Sequence, residues 1–152
     1  MTQDLTMNQE KQNVPINILL ADDDTDDCLF FEKALRGIPI AAHLTIVRDG
    51  EQLMSYLFEH SDSLPAILFL DLSMPRKTGF ECLSEIKEHD NLKDLPVVVF
   101  TTSFGRDIHF EQHLINTLSN IGSQDYVQKP SDITQLQQII HKALTQAIVK
   151  GA

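Results

Sequence analysis

Five times along this chain a short, almost uninterrupted apolar run gives way to a longer segment whose apolar residues recur at helical spacing. The runs are Ile16–Ala21, Leu44–Val47, Ala66–Leu70, Val97–Phe100 and a weaker one at Tyr126–Val127. The segments between and after them carry Cys28, Phe31 and Leu35; Leu53, Met54, Leu57 and Phe58; Phe80, Leu83 and Ile86; Phe110, Leu114 and Leu118; and Ile133, Leu136, Ile140 and Leu144. Strands this apolar have to be covered on both faces, and a parallel sheet does so with its own crossover helices. A chain of 152 residues, 42% of them hydrophobic, can bury one such core but not comfortably two. We therefore expect one α/β unit over residues 15–150, preceded by a polar, flexible lead-in at 1–14.

Five strand–helix units fit a doubly wound (βα)5 sheet of the flavodoxin-like type, with five parallel strands in the order 2-1-3-4-5. Ligands in such sheets bind beyond the carboxyl ends of the strands, at the switch point between the first and third. Those two strands run directly into Asp22, Asp23 and Asp24, and into Asp71. Like charges about 4 Å apart repel by ~4 kcal/mol at an effective dielectric near 20, so this cluster calls for protonation or a compensating cation. Mg²⁺ or Mn²⁺ suits an all-oxygen donor set better than a softer metal. The fourth strand ends at Thr101 and the fifth is followed by Lys129, which brings a hydroxyl and an ammonium to the same rim. Carboxylates, a hard cation, a hydroxyl and a lysine are the parts that stabilise in-line phosphoryl transfer, and one carboxylate can be the nucleophile.

The stretches ILLADDD, LFLDLSMPRKTG, PVVVFTT and YVQKP resemble the four signature segments of response regulator receiver domains, in the same order and at similar spacing. The resemblance implies that Asp71 is the phosphoacceptor and that Asp22, Asp23 and the backbone carbonyl of Ser73 join Asp71 around the Mg²⁺ or Mn²⁺. It further implies that Thr101 hydrogen-bonds the phosphoryl group, that Lys129 pairs with it, and that a cis Lys129–Pro130 bond aims the lysine inward. Tyr126 falls where the family carries its aromatic switch, so phosphorylation would shift the chain between two packings that a protein partner distinguishes. The phosphoryl donor implied is a phosphohistidine on a sensor histidine kinase or a histidine phosphotransfer protein. The downstream protein is not specified, and a homodimer stays open as a form of output. The DDDTDD start and the long segment between Thr101 and Lys129 resemble stand-alone receivers that work beside phytochrome-type kinases.

Each of these residues also has a plainer reading. Asp24, Asp26 and Asp27 suit helix capping and dipole compensation, an aspartate before a loop is commonly a turn residue, and an aromatic such as Tyr126 is commonly just packed. It is the coincidence at four strand ends that favours chemistry over those readings. Gly50 and Gly79 serve backbone geometry at loop-to-helix junctions. His109 and His113 are four apart, but HFEQH places Glu111 at the wrong offset for a zincin motif.

Other classes fit less well. Twelve Lys and Arg against 22 Asp and Glu give 12 − 22 = −10, a charge that repels nucleic acid and anionic membrane surfaces. No apolar run approaches the roughly 20 residues needed to span a bilayer, and Cys28 and Cys82 read as buried thiols in a reducing compartment, so we expect a cytoplasmic protein. A Mg²⁺-dependent aspartyl-phosphate phosphohydrolase would want a second Asp where Ser73 stands. A flavin binder would want phosphate-binding donors where this chain offers carboxylates. A receiver-like module that signals without phosphorylation is an alternative that the residues leave open. Against the family pattern, Thr102 is bulkier than usual and Ser131 replaces a residue that is often aromatic. The end of the chain soon after the last helix leads us to expect output by binding rather than through an attached effector domain, and therefore a signalling phosphoacceptor rather than an enzyme.

Overall fold

The computed structural model describes residues 14–102 and 108–151. The lead-in therefore falls, apart from Val14, outside the described residues, as does the 103–107 part of the long segment. Five strands, β1 (Ile16–Ala21), β2 (Ala42–Val47), β3 (Ile67–Leu70), β4 (Val97–Thr101) and β5 (Asp125–Gln128), alternate with five helices. These are α1 (Thr25–Arg36), α2 (Gly50–Glu59), α3 (Gly79–Glu88), α4 (Ile108–Ile121) and α5 (Ile133–Gly151). All neighbouring strands are parallel, in the order β2-β1-β3-β4-β5, as the alternation predicts. β2 begins two residues earlier than its apolar run because Ala42 and His43 already pair with Ile16 and Asn17. β5 gains a polar residue at each end because Asp125 and Gln128 pair with Val98 and Thr101.

Successive side chains of each strand face opposite layers, so the apolar runs feed two separate cores. Ile18, Leu20, Ile67, Phe69, Val98 and Phe100 pack against α1 and α5. Leu19, Ala21, Leu68, Leu70, Val97 and Val99 pack against α2, α3 and α4. Phe31, Phe69 and Phe100 meet edge to face in the first layer, with ring centroids 5.0–6.1 Å apart, a favoured aromatic geometry.

Polar residues start the helices where the strands stop. Asp24 caps α1 by accepting from the Asp27 amide at 3.0 Å, and Asp49 caps α2 by accepting from the Gln52 amide at 2.8 Å. Thr78 and Glu81 form a reciprocal capping box on α3. Two glycines permit close approach of these helix starts. A Cβ at Gly50 would collide with the Lys77 carbonyl, and one at Gly79 would collide with the carbonyl of Asp71 itself. The helix starts are thereby drawn onto the loops that carry the acidic residues.

Candidate phosphoryl-transfer site

At the carboxyl end of β1 the ladder continues one step: the Asp22 amide donates to the Val47 carbonyl at 3.0 Å, and the Asp71 amide donates to the Ala21 carbonyl at 3.0 Å. These bonds fix the backbones of the two residues side by side. The carboxylates of Asp22 and Asp71 are 0% and 5% exposed at the residue level, while Asp23 is exposed beside them. One oxygen from each of the three lies within 4.8 Å of the others.

Both oxygens of Asp71 are engaged. Oδ1 accepts from the Thr101 hydroxyl at 2.9 Å and from the Ser73 amide at 3.2 Å, and Oδ2 accepts from Lys129 Nζ at 3.2 Å. Thr101, fully buried, also accepts the Lys129 amide on its carbonyl at 2.8 Å, extending the β4–β5 ladder past Gln128. That bond carries Lys129 to the rim, where its ammonium lies 2.7 Å from Asp22 Oδ2 and 2.8 Å from Asp27 Oδ2. The expected cis Lys129–Pro130 bond is absent, and the peptide is trans. The ladder bond already directs the lysine inward, so the ordinary preference for trans, worth about 0.5–1 kcal/mol before proline, is not overridden.

The electrostatics follow from burial and crowding. Burial pushes the Asp22 carboxyl up to about 6 from its ordinary 3.8, against the opposing pull of Lys129 and the Asp24 amide. For Lys129, burial alone would lower the affinity for its proton, but Asp22, Asp27 and Asp71 together hold it well above the ordinary lysine range. It is a fixed cation at neutral pH. Asp22 Oδ2 touches that cation as an ion pair yet receives no directed hydrogen bond among the described residues. A buried acceptor with unused capacity, in a cluster of three hard oxygen donors, fits a small divalent cation such as Mg²⁺ or Mn²⁺.

The structure thus brings together Asp22, Asp23, Asp71, Thr101 and Lys129. Ser73 enters through its amide, and its side chain is exposed. Tyr126 is half-buried opposite Val99 and packs against the α2–α4 core. Asp27, expected only to support α1, is also a partner of Lys129. Its position in the first turn, on the helix that follows the acidic strand end, was the available clue. Thr102 is exposed. So is His113, whereas the side chain of His109 lies outside those described. Cys28 and Cys82 are buried free thiols whose burial pushes each up to about 11, so neither is a nucleophile at neutral pH.

A family model described as the response regulator receiver domain matches residues 18–141. The response regulator Rcp1 of Synechocystis sp. is 39% identical over 103 residues, covering 64% of this chain and 69% of that protein. The probable methanogenesis regulatory protein FilR2 of Methanothrix harundinacea is 34% identical over 115 residues, covering 69% and 74%. Among solved structures, the Mn²⁺-bound form of Rcp1 superposes with a TM-score of 0.70 at 31% identity, covering 84% of this chain and 91% of that one. The phosphorylated cyanobacterial phytochrome response regulator RcpA gives 0.71 at 31% identity, covering 85% and 91%.

Proposed function

This chain belongs to the response regulator receiver family, and from that premise we propose that it signals by accepting a phosphoryl group from a phosphohistidine onto Asp71. The observation that carries the assignment is the environment of Asp71. A nearly buried carboxylate at a strand end has one oxygen held by Thr101 and the other by Lys129. In the transfer, an Asp71 oxygen forms the new O–P bond as the P–N bond to the imidazole breaks and its electron pair returns to the ring. Lys129 and the Thr101 hydroxyl turn from the carboxylate to the phosphoryl oxygens, so donors already in place meet the developing charge.

Asp22, Asp23, Asp71 and the Ser73 carbonyl are the residues we assign to a Mg²⁺ or Mn²⁺. When bound, the cation supplies charge neutralisation that a single lysine among three carboxylates lacks. The similarity to a Mn²⁺-bound receiver supports that assignment. As Thr101 turns toward the phosphoryl group, the space it leaves lets Tyr126 shift, and the α4–β5–α5 face changes for a protein partner. The donor we infer is a sensor histidine kinase or histidine phosphotransfer protein. The likeness to a phytochrome response regulator favours a phytochrome-type kinase. Signalling in the cytoplasm by the unit at 15–150 is supported by two free, buried thiols and by the lack, among the described residues, of a helix able to cross a membrane.

The test is intact mass after incubation with acetyl phosphate, with and without Mg²⁺, beside Asp71→Asn. One phosphoryl group that needs Mg²⁺ and vanishes in the variant supports the assignment. Equal labelling of the variant would move the acceptor elsewhere.

A further inference from the structure

The three acidic residues sit on two loops that are not neighbours in sequence, and the turn between β2 and α2 touches both. Arg48 is the first residue after β2. Its Nη2 donates to the Asp23 carbonyl at 2.8 Å and to the Thr25 hydroxyl at 2.7 Å. On the other side of the same peptide unit, the Asp24 amide donates to Asp22 Oδ1 at 2.9 Å. The Asp23–Asp24 peptide is thus held at its carbonyl by Arg48 and at its N–H by Asp22. With that plane held, the backbone from which the Asp23 side chain springs is held as well, which narrows the directions open to its carboxylate. Asp49 and Gly50 complete the turn on the other loop: Asp49 Oδ2 lies 3.5 Å from Arg76 Nε, and Gly50 packs against the Lys77 carbonyl. Arg76 holds a left-handed backbone at φ 70°, a conformation that a non-glycine residue adopts at some cost and that surrounding contacts have to support.

We infer that Arg48 is a positioning residue for the cation site, setting Asp23 against Asp22 and Asp71 through the backbone rather than by touching the ion. The inference rests on the cation assignment made above. A neighbouring arginine otherwise has the opposite consequence for a bound cation. Its positive charge repels a divalent ion, so if charge were all that mattered, removing it would tighten binding. Positioning predicts weakening, because a freed Asp23 has to be ordered when the cation arrives. The two accounts therefore differ in sign.

Calorimetric titration with Mg²⁺ of the native chain and of Arg48→Gln, Arg48→Ala and Arg48→Lys, each first checked by thermal melting without divalent ions, separates them. Positioning residues around metal ligands commonly contribute 10–100-fold in affinity; acting through one peptide, Arg48 should give about tenfold weakening in Arg48→Ala. Arg48→Gln keeps a donor without the charge and should fall between native and Arg48→Ala. Arg48→Lys keeps the charge and one donor and should recover most of the affinity. Should Arg48→Ala melt too low to titrate, the Gln and Lys variants decide the sign by themselves. Unchanged or tighter binding in both Arg48→Gln and Arg48→Ala would overturn the inference while leaving the site intact. Failure of the native chain itself to bind Mg²⁺ would instead remove the cation assignment.

Discussion

Two lysines reach opposite rims of the same sheet. At the amino-terminal rim Lys87, half-buried on α3, donates to the carbonyls of Lys93 at 3.0 Å and Leu95 at 2.8 Å. It helps line a concavity of about 700 Å³ with Asp94, Gln124 and Ile148. At the carboxyl-terminal rim Lys129, its side chain 8% exposed, stands among three carboxylates. Lys87 ties a loop to a helix by hydrogen bonds to neutral groups. Lys129 only partly neutralises a buried negative cluster, and a further cation or a rearrangement of charge has somewhere to act. Among the described residues, the concavity at the amino-terminal rim goes with no such buried carboxylate cluster around its lysine, so it is charge and not open volume that distinguishes the rim carrying Asp71.

The contrast is tested most severely by truncating each lysine. Lys129→Ala strands two buried carboxylates and should cost about 3–5 kcal/mol in urea unfolding without divalent ions. It should also slow labelling by acetyl phosphate about 100-fold. Lys87→Ala should cost about 1–2 kcal/mol and leave labelling unchanged. Comparable losses of labelling would erase the distinction between the rims.

A second prediction concerns pH. The raised affinity of Asp22 for its proton means that the folded chain binds this proton below about pH 6 while the unfolded chain waits until about 3.8. The stabilising contribution of this group therefore grows as pH falls from about 6 toward 3.8 and is lost as pH rises through 6. Its full span is about 3 kcal/mol at 1.36 kcal/mol per pH unit. Lys129 stays charged throughout that window and adds no slope of its own. Without divalent ions, Asp22→Asn should be more stable than the native chain at pH 7, and the gap should shrink toward pH 4. Parallel pH profiles would show that burial does not oppose the charge on Asp22.

Glycines at the two rims give a smaller contrast. In Gly79→Ala the new methyl meets backbone, the Asp71 carbonyl and, at 2.7 Å, Leu72 Cα, so neither neighbour can swing aside. About 2–3 kcal/mol of destabilisation and slower labelling are expected. Gly122 ends α4 at φ 126°, and its methyl would meet the Lys87 side chain at 3.1 Å. Gly122→Ala should cost about 1 kcal/mol for the backbone conformation and leave labelling intact. Smallest is the threonine pair. Thr101→Val removes the bond to Asp71 and should cost about 1 kcal/mol with a clear slowing of labelling. Thr102→Val, at an exposed position, should change stability by less than about 0.5 kcal/mol.

Most of the fold was legible because strand and helix periods are local, and five repetitions of one pattern leave few topologies. The edges of β2 and β5 were not, since Ala42, His43, Asp125 and Gln128 become strand only by pairing with a neighbour. The candidate site was legible wherever its residues directly follow an apolar run, as Asp22, Asp71 and Thr101 do, or follow it after one intervening residue, as Lys129 does. Asp27 was hidden because its lysine lies 102 residues away in sequence. Arg48 was hidden because it reaches the site through a backbone carbonyl, which carries no side-chain signature. The cis proline expected from the resemblance was not needed once the Lys129 amide joined the ladder.

The amino-acid sequence by itself determined that five parallel strands would deliver carboxylates, a hydroxyl and an ammonium to one rim. Alternation and strand length depend on near neighbours alone. The tertiary structure decided which carboxylates share Lys129, that Asp22 holds its proton more tightly than usual, and that Arg48 fixes the Asp23 peptide. Those outcomes depend on distance and on exclusion of water, and both are set by contacts between segments far apart in the chain.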